Sequence, residues 1–259
     1  MERRSFLGMC GTFGAFGAMP AAAAAGERKT RFYVLEQAFL KNGPQVERMN
    51  EFAGKHLLPA LNKVHSGPKI YLQALVAPHM PQFAAIYGFE SLEEMWRVHT
   101  RMGEDQELAK AAAQYESAAE APAEHATSSL LEAADYSPEI APSAADAAPR
   151  IFELRVYHSP TWRQLKALHE RFAGPEIKIF HRTGIHPVFY SSTLFGANVP
   201  NLTYVIPFEN LAAREKAWNA FGADPEWVKV RRESIEKHGQ ISSVSQISLY
   251  KATAYSPVR

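Results

Sequence analysis

The sequence predicts an α+β fold made of two tandem βαββαβ units whose sheets face each other about a pseudo-twofold axis. Three observations carry this expectation. The chain repeats itself at a constant offset of 119 residues, both copies run through strand and helix periodicities in the same order, and the opening strand of the second copy alternates strictly between apolar and polar side chains. The repeat is anchored by Tyr136-Ser137-Pro138, which recurs as Tyr255-Ser256-Pro257. At the same spacing and without gaps Leu35 meets Leu154, Tyr71 meets Tyr190, Pro81 meets Pro200, Phe89-Glu90 meets Phe208-Glu209 and Lys110 meets Lys229. None of these pairs is alanine, so alanine-rich composition does not produce them.

The elements follow in order. Met1 to Ala25 reads as an export signal: Arg3-Arg4 with Phe6-Leu7 behind them, a glycine-rich apolar run to Met19, then small residues from Ala21 to Ala25. Charged, apolar and small stretches in that order make a signal peptide, and the Arg-Arg-x-Phe-Leu core is of the twin-arginine type. The expected location is therefore periplasmic or otherwise extracytoplasmic. The apolar run falls short of the roughly 20 residues that a membrane-spanning helix needs, so no membrane span is expected in the mature chain. Cys10 is the only cysteine and leaves with the signal, which excludes disulfides, zinc–cysteine sites and a cysteine nucleophile. A 46% apolar composition is enough for a core without them. Lys and Arg number 28 against 27 Asp and Glu, a net charge of +1 without a basic stripe. Nucleic acid is excluded as a partner on that balance.

The first unit spans 30–136 and the second 150–256, joined by a Pro- and Ala-rich linker at 137–149. Each unit opens with a strand, Phe32–Phe39 or Ile151–His158. A helix follows, with Val46, Met49, Ala53 and His56 on one stripe in the first copy and Trp162, Leu165, His169 and Phe172 in the second. Two strands come next, about Lys69–Val76 and Phe83–Tyr87, matched by Val188–Phe195 and Leu202–Pro207. A second helical region opens at the N-caps Ser91 and Asn210 and, in the second copy, restarts at Asp224-Pro225-Glu226-Trp227. Last strands at about Thr127–Leu131 and Ser245–Tyr250 complete a ferredoxin-like unit.

Such a sheet has helices on one face only. In Ile151–Tyr157, Phe152, Leu154 and Val156 point one way and Glu153, Arg155 and Tyr157 the other. The apolar set suits covering helices, which leaves the polar set to line the space between the two sheets. The repeat offset places Glu36 where the second copy has Arg155, so the two are expected to approach as an ion pair inside a shared barrel.

The second copy resembles the NIPSNAP family over its whole length. The matching residues are Phe152-Glu153-Leu154-Arg155-Val156-Tyr157, His181-Arg182-Thr183-Gly184, Leu202-Thr203-Tyr204, the helix with Arg214, Glu215 and Trp218, and Asp224-Pro225-Glu226-Trp227. The first copy looks like a degenerate version, with Glu36 for Arg155 and Gln106-Glu107-Leu108 for Pro225-Glu226-Trp227. The resemblance implies a dimeric α+β barrel, here formed by two units of one chain, and leaves homo-oligomerisation possible. It supplies a fold rather than a reaction.

The candidate ligand-binding residues are Arg155, Tyr157, Glu153, His181, Glu36 and Tyr204, the first three as the polar lining of the barrel. His181, flanking a turn with His186, either touches a ligand or positions the turn. His56 and His169 lie on apolar stripes and read as packed or rim residues, Arg214 with Glu215 as a solvated or structural pair, Trp218 and Trp227 as core. No His-Glu-x-x-His, paired His-x-His, phosphate loop or Ser-His-Asp arrangement is present, so no residue can be named as catalytic, no metal site is expected and no cofactor is evident. Haem enters only through related barrels. Three functions remain open: binding of a small apolar or aromatic molecule in the barrel interior, an oxidoreductase, monooxygenase or haem-handling enzyme of this barrel type, and an interaction module without chemistry.

Overall fold

The computed structural model describes residues 30–144 and 146–259, and the export signal read at Met1–Ala25 lies outside them. The first unit runs β1 (Phe32–Phe39), α1 (Pro44–Phe52), a π-helical turn (Ala53–Leu57), α2 (Leu58–Val64), β2 (Lys69–Val76), β3 (Gln82–Phe89), α3 (Leu92–Glu104), α4 (Gln106–Glu116) and β4 (His125–Ala133). The second repeats it: β5 (Ile151–His158), α5 (Trp162–Arg171), a π-helical turn (Phe172–Glu176), α6 (Ile177–Arg182), β6 (Phe189–Phe195), β7 (Asn201–Phe208), α7 (Leu211–Ala223), α8 (Pro225–His238) and β8 (Val244–Ala252). The expected caps are made: the Ser91 hydroxyl accepts from the Glu94 N–H at 3.0 Å, Asn210 Oδ1 from Ala213 at 2.9 Å, and Asp224 Oδ1 from both Glu226 and Trp227. Both first helices pass through a π turn at the same repeat position. In the second, Pro175 sits inside the helix without an N–H to give, and Gly174 departs from helical torsions.

The eight strands close into one antiparallel barrel in the order β1-β3-β2-β8-β5-β7-β6-β4. Each unit contributes a four-stranded sheet, and the units join edge to edge through β2 with β8 and β4 with β6. The two joints are pseudo-symmetric, since Leu72↔Ala252 and Ala74↔Tyr250 reappear as Ser191↔Ala133 and Thr193↔Leu131. Closure removes every sheet edge.

The barrel interior is filled by side chains. Tyr33, Leu35, Ile70, Leu72, Phe152, Leu154, Phe189, Val205 and Tyr250 are all buried in one cluster to which every strand contributes. The polar groups among them satisfy one another. Gln82 and Gln37 donate to Tyr250 Oη at 2.8 and 3.3 Å, and Asn201 Oδ1 accepts from Thr193 and Thr203 at 2.8 and 3.0 Å. The expected assignment of faces is therefore inverted. Phe152 and Leu154 point into the barrel, while Glu153, Arg155 and Tyr157 lie under the helices. An eight-stranded barrel leaves room for little more than its own side chains, so its interior takes the apolar set. The helix-covered face can hold charge because the helices bring partners to it. For the same reason Glu36 and Arg155 do not meet, each being on the outer face of its own sheet.

The segment after β4 also differs from a linker without a core. Ile140 packs into the barrel cluster together with Val258, and the Glu139 carboxylate accepts from the Thr30 N–H at 3.0 Å and the Thr30 hydroxyl at 2.8 Å. The repeated Tyr-Ser-Pro has a physical role, because each unit's tail crosses to the other unit. Ser137 Oγ accepts from the Tyr190 N–H and Ser256 Oγ from the Tyr71 N–H, both at 3.0 Å. Among the described residues, no helix is long and apolar enough to cross a membrane.

Candidate functional site

The polar face of β5 is covered by α7, and the spacing along α7 decides what meets it. Arg214 and Trp218 are one helical turn apart and so share a face; both reach Glu153, which is fully buried. Glu153 Oε2 accepts from Arg214 Nε at 2.5 Å and from Trp218 Nε1 at 3.0 Å, while Oε1 pairs with Arg155 Nη1. Arg155 Nε donates to Tyr157 Oη at 3.0 Å, and its guanidinium lies 4.2 Å from the Trp218 ring centroid. Among the described residues its Nη2 makes no hydrogen bond, and the side chain retains 11% exposure. Tyr204, directly across the sheet from Arg155, stands edge-on to Tyr157 with ring centroids 5.3 Å apart. Two guanidinium groups thus share one carboxylate, and the cluster carries a net positive charge.

A second buried group lies deeper. Glu176, at the end of the π turn, accepts from Arg171 Nε at 2.7 Å, and the Arg171 guanidinium sits 4.9 Å from the Trp227 ring centroid. Burial pushes the Glu176 carboxyl up to about 7, against the pull of Arg171. Tyr190, also fully buried, has no hydrogen-bond partner for its hydroxyl among the described residues, and burial followed by the nearby Glu176 carboxylate pushes its ionisation far above the usual phenol range. The Tyr136 hydroxyl, delivered by the first unit's tail, shares a 2.7 Å hydrogen bond with His169 Nδ1, and His169 Nε2 shares another of 2.7 Å with Ser192 Oγ. Burial pushes His169 down to about 4, opposed by Asp135, so the imidazole is neutral near pH 7.

Of the residues singled out from sequence, the structure brings Glu153, Arg155, Tyr157 and Tyr204 together. His181 is exposed and stacks on His186 with centroids 5.0 Å apart, away from this cluster. Glu36 lies on the equivalent face of the first unit. Arg214 pairs with Glu153 rather than with Glu215, which is exposed. Trp218 packs against the helix-side core as expected and also donates a hydrogen bond to Glu153. Sequence reasoning missed Glu176 and Tyr136. The signal for Glu176 was Gly174-Pro175 within a helical stripe, which marks the break that turns it inward. Nothing local reveals that Tyr136 crosses to the other unit.

The donor set of this face does not fit a haem. His169 has both ring nitrogens hydrogen bonded and none left for an axial bond, and His181 faces solvent. Among the described residues, no group of three or more His, Cys, Asp or Glu could hold a metal ion.

Comparison with known proteins agrees with this architecture. Residues 152–257 match the NIPSNAP family. No curated protein matches the chain in sequence. Among solved structures, a candidate monooxygenase from Lactobacillus acidophilus superposes with a TM-score of 0.53 at 9% identity, covering 87% of this chain and 97% of its own. An anthrone oxidase-like protein gives 0.53 at 12% identity, covering 88% and 92%. A candidate chlorite dismutase gives 0.50 at 11% identity, covering 87% and 96%. At these identities the likeness is one of fold. The second unit is thus similar to the NIPSNAP family over residues 152–257, within a chain that folds as an eight-stranded α+β barrel closed between its own two halves.

Proposed function

We propose that the protein is exported by the twin-arginine route and binds a small aromatic compound bearing an acidic group, held between the sheet and helices of its second unit. The observation that supports this reading most is the unbalanced charge at Glu153. Arg155 and Arg214 share that one carboxylate, and Arg155 keeps an Nη2 without a hydrogen bond among the described residues, beside Trp218 and Tyr157. An organic anion completes the charge balance through a charge-assisted hydrogen bond, and the surrounding rings accept its apolar body. The site lies outside the barrel interior, which side chains occupy. Arg3-Arg4 ahead of Phe6-Leu7 supports export, and replacing them by Lys-Lys is expected to retain the precursor in the cytoplasm.

Titration calorimetry with benzoate as the probe tests the binding reading. Wild type is expected to bind, and Arg155→Gln to lose binding while remaining folded, since Arg214 still neutralises Glu153. Equal binding by both proteins, or none by wild type, contradicts it. A second reading, an enzyme, rests on Glu176: a buried carboxyl held near 7 beside an unpartnered phenol is suited to take or give a proton. Relatives in fold include a candidate monooxygenase and an anthrone oxidase-like protein. Oxygen uptake with a reduced polycyclic phenol, lost in Glu176→Gln, would favour this second reading.

A further inference from the structure

Every strand of the barrel has two neighbours, but the last strand of each unit runs on past one of them. β8 pairs with β5 from Ile151↔Lys251 to His158↔Val244, whereas its pairing with β2 ends at Val76↔Leu249, after a bulge. β4 does the same: it follows β1 as far as Phe39↔His125 but β6 only as far as Leu130↔Phe195. Val244–Ser248 and His125–Ser129 therefore have a strand on one side and, among the described residues, none on the other. In an antiparallel ladder the N–H and C=O groups of alternate residues turn to opposite sides, so each segment presents a row of free backbone donors and acceptors. Val244 to Ile247 and His125 to Ser128 are exposed throughout. The hairpin nearest the β8 segment leans away from it: His79, in the β2–β3 loop, rests against Phe39 and His125, on strands at the far side of the barrel mouth. Asn198, in the β6–β7 loop, reaches the Gln246 side chain at 3.4 Å and leaves the backbone edge free.

The two segments occupy the same repeat position but are not equally guarded. Free strand edges are ordinarily protected by charge or proline. The β4 segment begins at His125, directly after Glu124, which pairs with Lys41 at 3.5 Å, and continues with the small or polar Ala126, Thr127 and Ser128. The β8 segment, Val244-Ser245-Gln246-Ile247-Ser248, holds no charge and no proline, and has Val244 and Ile247 where β4 has His125 and Ser128. These two side chains are 51% and 40% exposed. Apolar residues flank both segments, with Val76 and Phe195 exposed at the same repeat position, so the difference lies in the strands themselves.

We infer that the free edge of β8 is an interface between two copies of this chain, paired antiparallel through Val244–Ser248 about a twofold axis at Gln246. An extended strand is the occupant that satisfies a row of backbone groups, and the chain itself supplies one. In that register Ser245 faces the copy's Ile247 and Val244 faces its Ser248, so each apolar side chain meets a small one and no charges oppose. The contact continues the joint that β8 already makes with β2, and carries the sheet of β5 and β8 into the second molecule. Being isologous, it closes at two copies, and the guarded β4 edge leaves the dimer without a growing end.

Sedimentation velocity of the full chain over a hundredfold range of concentration tests this. Wild type is expected to sediment at twice the mass of the chain. Ile247→Lys and Val244→Lys, each placing a charge on the edge, are expected to weaken the dimer at least tenfold. Ser128→Lys, the same change at the repeat equivalent of Ile247, is expected to leave it unchanged. Directly opposed residues of an antiparallel pair lie within disulfide reach, so Gln246→Cys, made together with Cys10→Ser, is expected to crosslink to its own copy on mild oxidation, and Thr127→Cys in the same background to remain uncrosslinked. Each variant is checked for retained cooperative unfolding. A wild type that is monomeric throughout overturns the inference and leaves the edge to an extended segment of another protein. A dimer insensitive to both lysine variants of β8, one weakened equally by Ser128→Lys, or a Gln246→Cys chain that does not crosslink overturns it as well.

Discussion

The two units differ least inside the barrel and most beneath the helices. Leu35 and Leu154 are the same residue at the same repeat position, both 5% exposed in the barrel cluster. One residue further along, Glu36 and Arg155 carry opposite charges on the other face. The tails also share one geometry executed with different chemistry: Tyr136 meets His169, whose other nitrogen meets Ser192, while Tyr255 meets Asn50, whose amide reaches Gln73 at 3.4 Å. The barrel and the crossing tails hold the fold together. The helix-covered faces are where the two copies have become chemically distinct, one net positive around Arg155 and Arg214, the other acidic at the exposed Glu36.

The sharpest way to break this comparison is at the carboxylates. Glu153→Ala leaves the partly buried Arg155 and Arg214 without their shared carboxylate and is expected to cost ~3–5 kcal/mol. Glu36→Ala, at an exposed unpaired position, is expected to stay within ~0.5 kcal/mol. Similar costs for the two in denaturant melts would contradict the distinction. Inside the barrel the units should instead behave alike. Leu154→Ala and Leu35→Ala are each expected to cost ~2–5 kcal/mol as core truncations, and a loss confined to one of them would place the other outside the packed interior.

A smaller effect appears in the pH dependence of stability. Folded Glu176, pushed up to about 7, keeps its proton where the unfolded chain has lost it. Its contribution is therefore full in acid and is lost as pH rises from 4.5 to about 7. His169, pushed down to about 4, stays neutral where the unfolded chain is protonated, so stability rises with pH from about 4 to 6.5. The slopes oppose and largely cancel in wild type, each being worth up to ~3 kcal/mol at about 1.4 kcal/mol per pKa unit. His169→Asn, which copies Asn50, is expected to leave stability falling across this range, and Glu176→Gln to leave it rising. Urea melts at stepped pH read the slopes, and the same slope in both variants would refute the assignment.

Much of this organisation was legible in the sequence. The repeat fixed two units, the turn chemistry located Ser91, Asn210 and Asp224 as caps, and the β2 bounds match the expected strand. Which face of β5 meets the helices was not legible, for a physical reason. Alternation distinguishes two faces but does not say what covers each, and in a barrel clad with helices both are buried. β3 is buried at every position and β7 at all but one, so the usual rule of apolar side in, polar side out fails. The polar residues of β5 go to the helices because Arg214 and Trp218 wait there, and those partners lie more than 50 residues downstream. The motif residues were visible early, but their contacts depend on chain closure.

The central claim, that the polar face of β5 belongs to the helices and not to the barrel interior, is tested most directly by a double-mutant cycle between Glu153 and Arg214. Glu153→Gln, Arg214→Met and the double variant, melted in denaturant, are expected to give a coupling of ~1.5–3 kcal/mol, the range for a hydrogen bond to a charged group. Additive effects at this pair, together with coupling between Arg155 and Glu36, would return the polar residues to the barrel interior and contradict the account.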